Sequence, residues 1–127
     1  MRIEHIAVYT TQLEDMKSFY MTYFKAISNE KYINRTKGFE SYFLHFESGC
    51  RLELMQKTGI DEKIDNPYQT GLHHLAISVG SRKNVDLLTQ VLKSDGYIVE
   101  GAPRTTGDGY YESVVLDPDG NKIEITI

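Results

Sequence analysis

Two histidines and two glutamates recur in matched surroundings. His5 opens the run His5-Ile6-Ala7-Val8 and His74 opens His74-Leu75-Ala76-Ile77. Glu53 ends the core of Gly49-Cys50-Arg51-Leu52-Glu53-Leu54, and Glu124 does the same in Gly120-Asn121-Lys122-Ile123-Glu124-Ile125. The histidines lie 69 residues apart and the glutamates 71, so both motifs return in the same order at nearly one offset. A single strand His, or a single Glu opposite apolar neighbours, reads as an ordinary solvated residue. Their joint repetition points instead to a duplicated module and a shared site. Imidazole nitrogens combined with carboxylate oxygens suit one borderline or fairly hard divalent cation: Zn or Ni first, with Co, Mn or Fe as further options. Four such ligands leave one or two coordination positions open, which is what separates a catalytic ion from a structural one.

The elements that must position these residues follow from periodicity. Residues 2–9 alternate like a strand. A helix is expected over 12–25, with Thr11 and Glu14 at capping-box spacing and Leu13, Met16, Tyr20 and Phe24 on one face. Strands follow near 29–34, 40–47 and 50–56. The second half opens with a strand at 72–79 and continues with a helix at 82–95, with Ser81 as N-cap, Val85, Leu88 and Leu92 on one face, and Gly96 as stop. Strands near 97–102, 110–116 and 121–127 complete it, and Asp117-Pro118-Asp119-Gly120 is a turn. Each half reads βαβββ, which makes the fold class α+β: two paired modules, 1–56 and 72–127, joined by a linker at 57–71 into a single domain. Paired modules would build a curved, trough-like mixed sheet with helices on its outer face. Strand parity places Ile6 and Val8, Leu52 and Leu54, Leu75 and Ile77, and Ile123 and Ile125 under the helices, with His5, Glu53, His74 and Glu124 all on the reverse face.

Other polar residues carry weaker signals. Arg104 and Tyr111, with Tyr110, flank the turn Gly107-Asp108-Gly109 and are the candidate substrate contacts, Arg104 as a clamp for an anionic group. His73 reads as a strand-entry residue, His45 as packing, and Cys50 as a minor packing residue beside a turn. The chain has 127 residues with 40% hydrophobic content and a net charge of −4. The interspersed charge argues against nucleic acid or an anionic membrane as partner. No apolar run approaches the roughly 20 residues of a membrane span. With one cysteine an internal disulfide is excluded, which fits a reducing, cytoplasmic setting.

Taken together, His-x-Ala near the start of each βαβββ module and Gly-x-x-(Ile/Leu)-Glu near its end resemble the vicinal oxygen chelate superfamily of glyoxalases, bleomycin-resistance proteins and dioxygenases. The resemblance covers essentially the whole chain and is most specific at Asp117-Pro118-Asp119-Gly120-Asn121-Lys122-Ile123-Glu124, with support from Ser18-Phe19-Tyr20 and from 74–79. Within that group, two His and two Glu match bacterial-type glyoxalase I. The resemblance implies a lyase that isomerises the hemithioacetal of an α-ketoaldehyde through an enediolate, with Glu124 as the proton-shuttling catalytic residue, and it implies a homodimer. The sequence departs from the pattern at Tyr9, where such enzymes carry an arginine that helps hold glutathione, and at Met55-Gln56-Lys57, where an asparagine is expected. Both departures weaken the case for glutathione as cosubstrate. Epimerisation, thiol transfer, or non-catalytic binding of a small molecule are the alternatives that the same ligands and fold leave open.

Overall fold

The computed structural model describes residues 1–61 and 70–127; positions 62–69 of the expected linker lie outside the described residues. The chain divides into two compact units, Met1–Ile64 and Asp65–Ile127. Among the described residues no helix is long and apolar enough to cross a membrane.

The first unit contains β1 (His5–Tyr9), α1 (Leu13–Phe24), β2 (Ile27–Ser28), β3 (Tyr32–Asn34), β4 (Phe39–His45) and β5 (Arg51–Lys57). Its sheet runs β1-β5-β4-β2, with β3 also paired to β4. Helix α1 buries Leu13, Met16, Phe19 and Tyr20 over the side of the sheet that carries the buried Tyr42, Leu44, Leu52 and Leu54. Each such apolar side chain contributes roughly 1.5–3 kcal/mol when removed from water.

Two local expectations are revised. The Thr11–Glu14 box does not open α1; Thr10 Oγ1 instead accepts from the Gln12 N–H at 2.9 Å, and the Glu14 carboxylate turns to Lys17, Lys31 and the Tyr42 hydroxyl. The strand expected at 29–34 is shortened to β3 at Tyr32–Asn34, and the short β2 at Ile27–Ser28 precedes the expected span. Asn29 lies between the two: its N–H donates to the Phe43 carbonyl at 3.1 Å and its side-chain Oδ1 accepts from the Phe43 N–H at 2.7 Å.

The second unit repeats the plan with β6 (His74–Ser78), α2 (Arg82–Ser94), β7 (Val99–Thr105), β8 (Tyr111–Leu116) and β9 (Lys122–Thr126), in the sheet order β6-β9-β8-β7. Ser81 caps α2 by accepting from the Asn84 N–H at 3.2 Å. The helix ends in a Schellman arrangement, with Tyr97 N–H to Leu92 C=O at 3.0 Å and Gly96 N–H to Lys93 C=O at 3.2 Å. Gly96 sits at φ +93°, a conformation that glycine adopts without a Cβ penalty. Helix α2 packs Val85, Thr89 and Leu92 against its sheet, where Thr89 Oγ1 and Ser113 Oγ form a buried hydrogen bond of 2.6 Å. Leu88 is only half-buried, and Thr89 takes the central place expected of it.

One wiring rule is common to both units: the first strand lies parallel to the last. The register pairs Ala7 with Glu53 and Ala76 with Glu124. In each case the His two residues ahead of the Ala therefore shares a face with the Glu, and the helix covers the opposite face.

Candidate metal centre

In the first unit the His5 Nε2 stands 3.8 Å from Glu53 Oε2. In the second the His74 Nε2 stands 3.6 Å from Glu124 Oε2. The two pairs match in exposure as well: each imidazole side chain is 40% accessible, while Glu53 and Glu124 are 15% and 19% accessible. β1 and β6 show the same alternation, with His5, Ala7 and Tyr9, and His74, Ala76 and Ser78, on the exposed side. Neither His–Glu pair is close enough for a direct hydrogen bond. Two donors held about 2.0–2.2 Å from one ion can stand up to about 4.3 Å apart, so each gap is one that a small divalent cation can bridge. Each unit offers one imidazole and one carboxylate. Among the described residues no group of three or more His, Cys, Asp or Glu comes together to hold an ion.

Each histidine uses its second ring nitrogen. His5 Nδ1 lies 2.5 Å from Glu4 Oε2, and Glu4 is also bonded to Arg51. The hydrogen bond from His5, helped by Arg51, holds the Glu4 carboxyl below the ordinary carboxylate range. Arg51 stacks over the Phe43 ring at 4.2 Å, and Phe43 meets the His5 ring edge-on at 5.4 Å. In the second unit His74 Nδ1 is 2.9 Å from His73 Nδ1.

The surroundings of the two glutamates differ. Phe43 faces Glu53 across β4, whereas Glu124 faces Val114 and has Glu112 as a diagonal neighbour on the same face. Glu112 is buried. Burial first, then the charge of Glu124 and a hydrogen bond with it, push the Glu112 carboxyl above its usual range, with Arg104 opposing. Arg104 Nη2 donates to Glu112 Oε1 at 3.2 Å and stays half exposed. A Cβ at Gly101 would come within 2.6 Å of Arg104 Nη1, so this glycine leaves room for the guanidinium.

The structure separates the two expected substrate contacts. Arg104 shares a face with Glu112 and Glu124. Tyr111 is one residue out of phase with Glu112, so it stands on the helix side of the sheet. There its hydroxyl donates to Asp86 of α2 at 2.7 Å and its ring lies under Arg82 at 4.5 Å. His45 and Cys50 stay outside both pairs; Cys50 is half-buried. Sequence reasoning missed Glu4, His73 and Glu112. The first two had a signal that could have revealed them, because each immediately precedes a repeated histidine at the same 69-residue offset.

A family model for the Glyoxalase/Bleomycin resistance protein/Dioxygenase superfamily matches residues 2–125. The uncharacterized protein YqjT of Bacillus subtilis (strain 168) is 27% identical over 130 residues, covering 97% of this chain and 96% of that one. Among solved structures, glyoxalase I of Zea mays superposes with a TM-score of 0.82 at 23% identity, over 98% of this chain. The chain spans only 44% of the length of that maize protein. The trypanothione-dependent glyoxalase I of Leishmania major superposes with a TM-score of 0.79 at 21% identity, over 99% of this chain and 86% of that one. At these identities the structural likeness speaks for the fold.

Proposed function

The chain belongs to the Glyoxalase/Bleomycin resistance protein/Dioxygenase superfamily, and from that membership we propose that it is a metal-dependent, glyoxalase I-like lyase acting on a small substrate with neighbouring oxygens, the hemithioacetal of an α-ketoaldehyde. The observation that carries this reading is the duplicated His–Glu pair at 3.8 and 3.6 Å. A single imidazole and carboxylate make a poor site for a divalent ion, and two such pairs make a complete one. His5, Glu53, His74 and Glu124 are the proposed ligands of one cation, Zn or Ni first, drawn from two modules of one chain or of two chains in a homodimer.

When bound, a divalent cation supplies Lewis-acid polarisation of neighbouring substrate oxygens. The protein's own groups supply the rest. Glu124 takes the proton from the carbon next to the carbonyl and returns it to the adjacent carbon. Glu112, the diagonal neighbour of Glu124 on the same face, accepts from Arg104 at 3.2 Å. Arg104, half exposed on that face, offers positive charge to an anionic part of the substrate. Tyr9 is 54% exposed on the face that carries His5 and Glu53, at the position where the family resemblance puts an arginine that helps hold glutathione. The proposed cosubstrate is therefore a low-molecular-weight thiol other than glutathione.

The test joins metal analysis of the purified protein to turnover of methylglyoxal with a panel of thiols. The expected result is one divalent ion per two-His, two-Glu set and a higher kcat/KM with another thiol than with glutathione. His5→Ala, Glu53→Ala and His74→Ala should each lose about ten-fold or more in metal affinity. Unchanged metal content in all three would remove these residues as ligands. Metal retention without turnover on any thiol would move the protein to epimerase or binding chemistry.

A further inference from the structure

A neutral imidazole carries one N–H and one lone pair, and its hydrogen-bond partners decide which nitrogen has which. To hold a cation through Nε2, both His5 and His74 must carry their hydrogen on Nδ1. In the first unit the partner of Nδ1 is the Glu4 carboxylate, 2.5 Å away. An ionised carboxylate only accepts, so it fixes the hydrogen of His5 on Nδ1. Glu4 is itself held by Arg51, whose guanidinium stacks on Phe43, and Phe43 in turn abuts the His5 ring. The imidazole is thus oriented before any ion arrives. In the second unit the partner is another imidazole, His73, with the two Nδ1 atoms 2.9 Å apart. One of them donates and the other accepts, and only donation by His74 leaves its Nε2 lone pair facing Glu124.

Resting on the metal-site reading above, we propose that Glu4 and His73, the residues immediately preceding the two ligands, are positioning residues that set His5 and His74 in the Nδ1–H form and aim Nε2 at Glu53 and Glu124. The two devices are not equivalent. Glu4 dictates one tautomer outright. His73 does so only when its own hydrogen sits on Nε2, which makes the second unit's imidazole the less firmly prepared.

The metal-free protein reports this directly. Long-range ¹H–¹⁵N spectra of the four histidines at pH 8, where an ordinary imidazole is neutral, should show His5 and His74 with hydrogen on Nδ1 and His73 with hydrogen on Nε2. Glu4→Ala should release His5 to a tautomer mixture, and His73→Phe should do the same for His74. Each should lower Co(II) affinity by about 10- to 100-fold, with the melting temperature little changed. Glu4→Gln, whose amide oxygen can still accept, should restore part of the His5 signature and part of the affinity, which a merely structural role for Glu4 does not foresee. Tautomers and Co(II) affinity that ignore both Glu4→Ala and His73→Phe, in a wild-type protein that binds Co(II), overturn the positioning role. A wild-type protein that takes up no Co(II) while showing the stated tautomers overturns the metal reading and leaves the positioning role standing.

Discussion

Glu53 and Glu124 occupy matching places in β5 and β9, yet only Glu124 has a second carboxyl beside it. Its diagonal neighbour Glu112 is buried and held by Arg104, whereas the register puts Ser41 at the equivalent place next to Glu53. Burial first, and then the nearness of Glu124, holds the Glu112 carboxyl above its usual range, and no such carboxyl lies diagonal to Glu53 on β4. We propose Glu124, rather than Glu53, as the group that moves a proton during turnover. Glu124→Gln keeps an oxygen for the cation and loses the base, so turnover should fall by about 10²- to 10⁴-fold with metal largely retained. Steady-state kinetics with metal analysis on Glu124→Gln and Glu53→Gln settles the assignment: an active Glu124→Gln beside a dead Glu53→Gln reverses it. That His5 shares a face with Glu53, and His74 with Glu124, was legible in the sequence because strand alternation is a strict period of two and the motif occurs twice. Glu112 was not. Its burial and its nearness to Glu124 come from strand pairing and from the irregular β7–β8 register between Val99 and Arg104, which no local pattern encodes. Tyr111 and Arg104 flank one turn, but adjacent strand residues point to opposite faces, and parity with Glu112 separates them.

At the scale of elements, turns are legible in the sequence where backbone conformation demands a particular residue. Gly96 and Gly120 both lie at positive φ. The 117–120 turn is tied by the Asp117 carboxylate, which accepts from the N–H groups of Asp119 and Asn121 at 3.0 and 2.8 Å. Local spacing does not decide the outcome where a side chain has a choice of partners. Glu14 has capping-box spacing, but Lys31 at 2.7 Å, Lys17 at 2.9 Å and the Tyr42 hydroxyl at 3.0 Å outcompete the helix terminus for its carboxylate. That cluster ties α1 to β4 and to the segment before β3. The hydrogen bond from Lys31, then that from Lys17, lowers the Glu14 carboxyl from 4.5 to about 2, and the Glu14 pairing holds Lys31 above the ordinary ammonium range. Because the folded value is depressed, the stabilisation from Glu14 is present above pH 4.5 and is lost as pH falls from there towards 2. The side chain is 56% exposed, so solvent screening limits the effect to about 1 kcal/mol or less. Thermal melts of the wild type and Glu14→Gln should therefore differ by about 4 °C or less at pH 7 and converge near pH 2. A gap that persists unchanged at pH 2 would show that Glu14 acts through packing and not through its charge.

At the scale of the whole molecule, two His–Glu pairs can be united in two ways, since module pairing within one chain or between two chains of a homodimer uses the same four residues. We propose the homodimer, and ligands shared between chains would require an obligate interface of roughly 2,000 Å² or more. The two arrangements differ in what happens when damaged chains are mixed. If each chain supplies both halves of its own site, His5→Ala and His74→Ala chains are each broken, and co-refolding them restores nothing. If the site joins the first module of one chain to the second module of its partner, a mixed dimer has one doubly broken site and one intact site. Random pairing makes half of the dimers mixed, so about a quarter of all sites should recover. The readout is stoichiometric Co(II) uptake on the co-refolded mixture, with activity as a second measure. Recovery near a quarter, absent from either variant refolded alone, assigns the sites to the interface between chains. No recovery, in a mixture that sediments as a dimer and beside wild-type protein that binds Co(II) normally, assigns them to single chains and leaves the dimer without a part in building the metal centre.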